Sequence, residues 1–339
     1  MRVLAAMSGG VDSSVAAALL VEEGHDVTGV TLRLWDNPTD AGCCSVAEID
    51  DARRVAHVLG IDHLVWTFVD EFDARVVEPY AAAHAQGLTP NPCIECNRHL
   101  KFGRLLRRAT QLGFDAVATG HHARVVSDGH HRLLRGADVE KDQSYVLYVL
   151  AQHELARCRF PVGTMTKVAV RAKAAALGLP TAQKPDSQDV CFVTTSGGRR
   201  QLLASRIGLH PGRVVDAAGN QVGRVDAVEL VTPGQRRGLG TGGGARRYAI
   251  SVDTTARTVV VGEAADLHVR SVELAQVGWV HQPVLGEVEA QTSAHGAAVE
   301  ASFDGDTVRF ARPQRRVAPG QSVVLYRGDE VVGGGIASA

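Results

Sequence analysis

Two periods of apolar spacing organise the chain. Val3, Leu4 and Ala5 form a short apolar run; "SSVAAALLVEEG" then places Val15, Ala16, Leu19 and Leu20 at helical spacing and stops at Gly24. "DVTGVTLRLW" predicts a second strand, and "EIDDARRVAHVLG" a helix with Ile49, Ala52, Ala56 and Leu59 on one face. "HLVWTFV" predicts a third strand and "FDAVATG" a later one ending at Gly120. Strands separated by helices predict a parallel sheet covered on both faces. Ligands of such sheets sit beyond the carboxyl ends of the strands, where the first turn and Gly120-His121 fall.

Helical patterning ends near "KVAVRAKAAALGLP". From about residue 210 it gives way to short β-branched runs broken by glycine, such as "GRVVDAAGNQVG" and "TVVVG". The last stretch, with "DTVRF" and "SVVLYRGDEVVGGG", reads as antiparallel hairpins or a small barrel. The expected fold is therefore α/β. It comprises a parallel-sheet domain over residues 1–200, a small mostly β central domain over 201–265, and a C-terminal β-barrel over 266–339.

The turn between the first strand and helix is "AAMSGGVDSS". Gly9 and Gly10 let the backbone approach a ligand, and the first amides of the following helix lack intrahelical partners. Such a turn favours a phosphate, with Ser8, Ser13 and Ser14 adding hydroxyls. It is neither a Walker A loop nor a G-x-G-x-x-G turn. The full string SGGVDSS resembles the PP-loop of the N-type ATP pyrophosphatases, which split ATP into AMP and pyrophosphate. Asp12 fits there as a metal or hydration partner, or else as a cap of the helix.

The chain has 339 residues, 45% hydrophobic, and a net charge of −1, which excludes disorder and general polyanion binding. Any nucleic-acid contact must come from local basic clusters. The N-terminus enters the first strand without a signal-like stretch, and no apolar run is long enough to span a bilayer. Six cysteines in such a chain point to reduced thiols with chemical roles and a cytoplasmic location.

In "TPNPCIECNRHLKFGRLLRRATQLG" two prolines hold the chain extended before Cys93 and Cys96, and Asn97 is expected to cap a helix bearing Phe102, Leu105, Leu106, Ala109 and Leu112. Lys101, Arg104 and Arg108, joined by Arg98 and Arg107, form a basic stripe, which is either an RNA-facing surface or a solvated helix face. A thiol at a helix N-terminus beside cations gains thiolate character, which favours Cys96. The C-x-x-C could be a redox pair, half a zinc site or an iron–sulfur ligand pair. Cys158 reads as packing, Cys43 and Cys44 as structural, and Cys191 in "KPDSQDVCFV" as available for thiol chemistry.

With SGGVDSS, "TPNPCIECN", "ATGHHA", "KDQSYVLY" and "DSQDVCFV" in this order, followed by "TPGQRRGLG" and "APGQSVVLYRGDEVVGGG", the chain resembles the tRNA-specific 2-thiouridylase (MnmA) family along its whole length. The resemblance implies a PP-loop domain of the adenine nucleotide α-hydrolase type. It also implies conversion of the wobble uridine of lysine, glutamate and glutamine tRNAs to 2-thiouridine.

Carried over by position, Ala6, Met7, Ser8, Gly9, Gly10, Val11, Asp12 and Ser13 would hold the ATP phosphates, with Mg2+. Leu32 and Gly120 would line the adenosine site. Cys96 matches the nucleophile and Cys191 the persulfide carrier, loaded by a cysteine desulfurase or sulfur-relay protein. Asn91, Pro92 and Cys93 would lie against the target base, and His121, Lys141, Asp142, Gln143 and Gln321 match tRNA contacts. For His121 the bland alternative is a histidine finishing a strand; for Asp142 it is a helix cap. Many relatives have Asp where Cys93 stands, and an Arg-Tyr pair of some relatives is replaced by "EAQTSAHG".

Three rival readings remain at this level. A PP-loop ligase acting on a small molecule explains the turn but not the cysteines. A non-catalytic RNA-binding or metal-scaffold protein leaves the turn idle. A 4Fe–4S cluster on Cys93, Cys96 and Cys191 would change the cofactor and keep the function.

Overall fold

The computed structural model describes residues 1–35, 46–186, 190–193, 198–242 and 246–338. Cys43 and Cys44 lie outside the described residues.

Five strands, β1 (Arg2–Ala6), β2 (Asp26–Arg33), β3 (Asp62–Thr67), β4 (Ala116–Ala118) and β7 (Cys158–Arg159), make the expected parallel sheet in the order β3-β2-β1-β4-β7. The central strand β1 is apolar at consecutive positions because both of its faces are covered. Leu4, Val30, Leu32 and Trp66 pack against the helical runs 69–85 and 92–111. On the other face Val3 and Ala5 meet α1 (Val11–Glu22), α2 (Val46–Leu59) and the helix Lys167–Ala176. Cys158 is fully buried in β7, in keeping with a packing role, and burial pushes its thiol well up.

The six strands His268–Trp279, Gly286–Gln291, Val299–Phe303, Thr307–Arg315, Ser322–Arg327 and Glu330–Ala337 form an antiparallel barrel, closed where the first pairs with the last. A four-stranded sheet of residues 212–262 lies between the barrel and the parallel sheet in sequence.

One sheet crosses the sequence divisions. The hairpin β5 (Ala123–Ser127) and β6 (His131–Arg135) extends the barrel sheet, with Leu133 and Leu134 paired to Val331 and Glu330. The barrel therefore grips the first unit, and Tyr145 Oη donates to the Ser322 carbonyl at 2.7 Å. Among the described residues no helix is long and apolar enough to cross a membrane.

A candidate nucleotide and thiol site

The turn at residues 7–10 is built for close approach. Gly9 has φ +73°, and a Cβ there would lie 2.4 Å from the Glu48 carbonyl oxygen. Gly10 is the N-cap of α1 and, having no side chain to cap it, leaves the first-turn amides without a side-chain partner among the described residues. The hydroxyls brace the turn: Ser13 Oγ accepts from the Ser8 amide at 3.1 Å, and Ser14 Oγ donates to the Gly10 carbonyl at 2.8 Å. Gly120 closes in from β4, where an added Cβ would sit 2.5 Å from the Ser13 nitrogen.

Asp12 does not cap the helix. Its carboxylate takes Lys167 Nζ at 2.7 and 2.8 Å and His122 Nε2 at 3.2 Å. Burial pushes the Asp12 carboxyl up, but the bonds from His122 and Lys167 outweigh it and hold it below the ordinary value. Lys167 Nζ also meets Asp186 at 2.9 Å, and Asp186 takes Lys141 at 2.8 Å and Arg171 at 2.7 Å. Burial works against the Asp186 charge as well, and the two lysines nonetheless drive its carboxyl well down. Lys184 joins Asp51 at 2.6 Å and Glu48 at 3.0 Å, and Thr181 Oγ1 donates to Ser14 Oγ. Residues 181–186 are thus tied across the start of α1. Lys167 and Arg171 belong to none of the quoted motifs, and His122 and Asp186, though they stand within "ATGHHA" and "DSQDVCFV", were not singled out as site residues.

The cysteine run begins earlier than its sequence suggested. Pro92 opens the helix, and Asn91, not Asn97, caps it by accepting from the Cys93 amide at 3.0 Å. An asparagine before a proline is the signal that could have placed this start. Asn97 is instead buried and donates to the Val146 carbonyl at 2.9 Å. Cys93 therefore stands in the exposed first turn, whereas Cys96 opens the π-helical stretch Cys96–Leu105 and is 7% exposed. Widened helices of this kind recur at functional sites.

Cys96 shares a buried cluster with Phe72, Tyr80 and Phe192, and the half-buried Cys191 packs on the same cluster. Phe192 meets Phe72 at 5.5 Å and Tyr80 at 5.6 Å between ring centroids. Two cysteines from distant parts of the sequence thus border one buried cluster. Ala6, where β1 passes into the turn, packs on this cluster as well. The basic stripe is partly occupied within the chain: Arg98 pairs with Glu95, Arg104 with Glu71, and Arg108 lies 4.3 Å from the Trp66 ring centroid.

The family profile described as "tRNA methyl transferase HUP domain" matches residues 1–195, and that described as "Aminomethyltransferase beta-barrel domain" matches residues 270–337. The chain is 47% identical to the tRNA-specific 2-thiouridylase MnmA of Chloroflexus aurantiacus over 98% of its own length and 97% of the relative's. It is 48% identical to the protein of that name from Mycolicibacterium paratuberculosis over 98% of each chain. The chain belongs to the tRNA-specific 2-thiouridylase family. Among solved structures, the U34-tRNA thiolase NcsA of Methanococcus maripaludis, with its [4Fe-4S] cluster, aligns at 18% identity and a TM-score of 0.38. It covers 60% of this chain and 64% of that one, a likeness too low to carry an argument.

The remaining positions matched to the thiouridylase family fall as follows. Leu32 is buried in β2 beside the cysteine cluster. His121 is buried between Phe102 and Phe160, bonded through Nδ1 to Thr119 Oγ1 at 2.6 Å, and burial holds it well below its ordinary pKa. This is the placement of a histidine finishing a strand. Asp142 accepts from the Gly136 and Ser144 amides and pairs with Arg135 at 3.0 Å, so its carboxylate serves the local fold. Gln143 is exposed and its side chain accepts from the His122 amide at 3.0 Å. Gln321 donates to the Thr89 carbonyl at 2.7 Å, and the Thr89 amide donates to Pro319. The barrel thereby holds the loop that leads into Asn91–Cys96.

Among the described residues no group of three or more His, Cys, Asp or Glu side chains is placed to hold a metal ion. Asp12, the position matched to Mg2+, is taken up by Lys167 and His122.

Proposed function

We propose that the chain makes 2-thiouridine at the wobble position of lysine, glutamate and glutamine tRNAs, using ATP and a cysteine persulfide. One observation supports the reading: Ala6 of the phosphate-binding turn, Cys96 and Cys191 border one buried cluster, as a scheme requires in which an activating and a sulfur-bearing group serve the same substrate atom.

The uridine C2 oxygen is a poor leaving group. Its attack on the α-phosphorus of ATP expels pyrophosphate and turns that oxygen into part of AMP. The amides of residues 11–13 stabilise the departing diphosphate. The terminal sulfur of a Cys191 persulfide then attacks C2 and AMP departs. The Cys96 thiolate attacks Cys191 Sγ, which breaks the S–S bond and releases 2-thiouridine. A Cys96–Cys191 disulfide remains for cellular thiols to reduce. Asn91, Pro92 and Cys93, presented by the barrel-anchored loop, face the base in this scheme. The persulfide comes from a cysteine desulfurase or sulfur-relay protein in the cytoplasm.

The test is product analysis with radiolabelled ATP and unmodified tRNA. AMP and pyrophosphate released only when tRNA is present are expected. ADP and phosphate, or AMP release indifferent to tRNA, would move the chain to another reaction class.

A further inference from the structure

The chain folds an acidic residue against the cationic side of its own phosphate site. The Asp186 carboxylate draws three cations: Lys141 on Oδ2, and Lys167 and Arg171 on Oδ1. A phosphate group, with more oxygens and more charge, suits that triad better than a carboxylate does. Lys167 lies between Asp186 and Asp12, and Asp12 stands in the first turn of α1 beside the uncapped amides. The Lys167 side chain is only 12% exposed, and its ammonium is flanked by the carboxylates of Asp12 and Asp186. Arg171 is less available, because its Nη1 donates to the Ala182 and Lys184 carbonyls at 3.0 and 2.9 Å.

We infer that Lys167 and Lys141 bind the diphosphate moiety of ATP, and that Asp186 is the internal anion this diphosphate displaces. The inference rests on the reading of the turn as an ATP site. It assigns two phosphate ligands that no turn motif contains, moves Lys141 from the tRNA contact its position matched to the diphosphate, and gives Asp186 an opposing role.

Calorimetric titration of the whole chain without tRNA, using pyrophosphate, ATP and AMP as probes, tests it. Lys167→Met should weaken pyrophosphate and ATP about 30-fold while AMP binding holds, as expected for a lost charge-assisted contact. Lys141→Ala, at a more exposed position, should weaken pyrophosphate about 3-fold with an unchanged melting temperature, and Lys167→Arg should recover most of the affinity. Asp186→Asn should tighten pyrophosphate several-fold, since a competing anion is gone. Weaker pyrophosphate binding in Asp186→Asn, or equal losses for AMP and pyrophosphate in Lys167→Met, would overturn the inference. A wild-type chain that binds neither ATP nor pyrophosphate would instead remove the ATP reading itself. Normal wild-type binding with unaffected lysine variants would remove only this assignment.

Discussion

The two ends of the site are made from opposite materials. Around the turn, Asp12, Asp186, Lys141, Lys167 and Arg171 form a continuous ionic network. The buried cluster that holds Cys96 also contains Phe72, Tyr80, Phe192, Leu32 of β2 and Leu34 just beyond it. The first arrangement keeps charge in place for an anionic ligand. The second buries the Cys96 thiol and half-buries that of Cys191, which suits the proposed sulfur transfer, where water would compete with the persulfide for an activated C2. In the proposed scheme the contrast separates the labour: the ionic end would activate and the apolar end would transfer.

Acid should break the two ends in a definite order. His84, buried beside Tyr80 at 4.6 Å between ring centroids, is held neutral by burial and by the Arg199 charge, at a pKa of about 4 instead of 6.5. Between those values the unfolded chain binds a proton that the folded chain refuses. Its full stability is therefore present above pH 6.5 and is lost as the pH falls towards about 4. The loss amounts to ~3 kcal/mol. Asp12 and Asp186, both lowered below 3.8, keep their pairs throughout that window and lose them only in stronger acid. Denaturant unfolding from pH 7 to 4 should show a loss in the wild type that His84→Gln reduces by the share His84 carries, His121, which burial also holds well below its ordinary value, keeping the rest. Equal acid sensitivity in both would place the weak point elsewhere.

A smaller effect sharpens the comparison at the surface. Neutralising Lys101, Arg104 and Arg108 together should flatten the plot of log tRNA affinity against log salt by about one phosphate contact, not three. Arg104 and Arg108 are already engaged by Glu71 and Trp66. A loss equivalent to three contacts would mean that these internal partners yield to RNA, and no change would return the whole stripe to solvent.

The two ends also differed in how much their sequence revealed. The turn was legible because its constraints are local: Gly9 occupies a left-handed conformation against a carbonyl, and the flanking apolar periods mark the strand and helix. The parallel strands followed from the same periodicity. The Asp12–Lys167–Asp186 network joins residues far apart in sequence, and no spacing announces it. The hairpin of β5 and β6 did carry a signal, Asp128-Gly129 between alternating runs, but nothing local says that it pairs with the barrel. The burial of His121 depends on Phe102 and Phe160, which the chain supplies from elsewhere, so a motif position and a core position look alike in sequence.

The division of labour is tested most directly by AMP release and 2-thiouridine formation measured side by side in two variants with unmodified tRNA. Asp12→Ala should lose both, by about 100-fold or more if its loss leaves Lys167 misplaced at the diphosphate. Cys191→Ser should release AMP in the presence of tRNA yet form no 2-thiouridine. Undiminished 2-thiouridine in Cys191→Ser, or a loss of AMP release there as deep as in Asp12→Ala, would contradict the account.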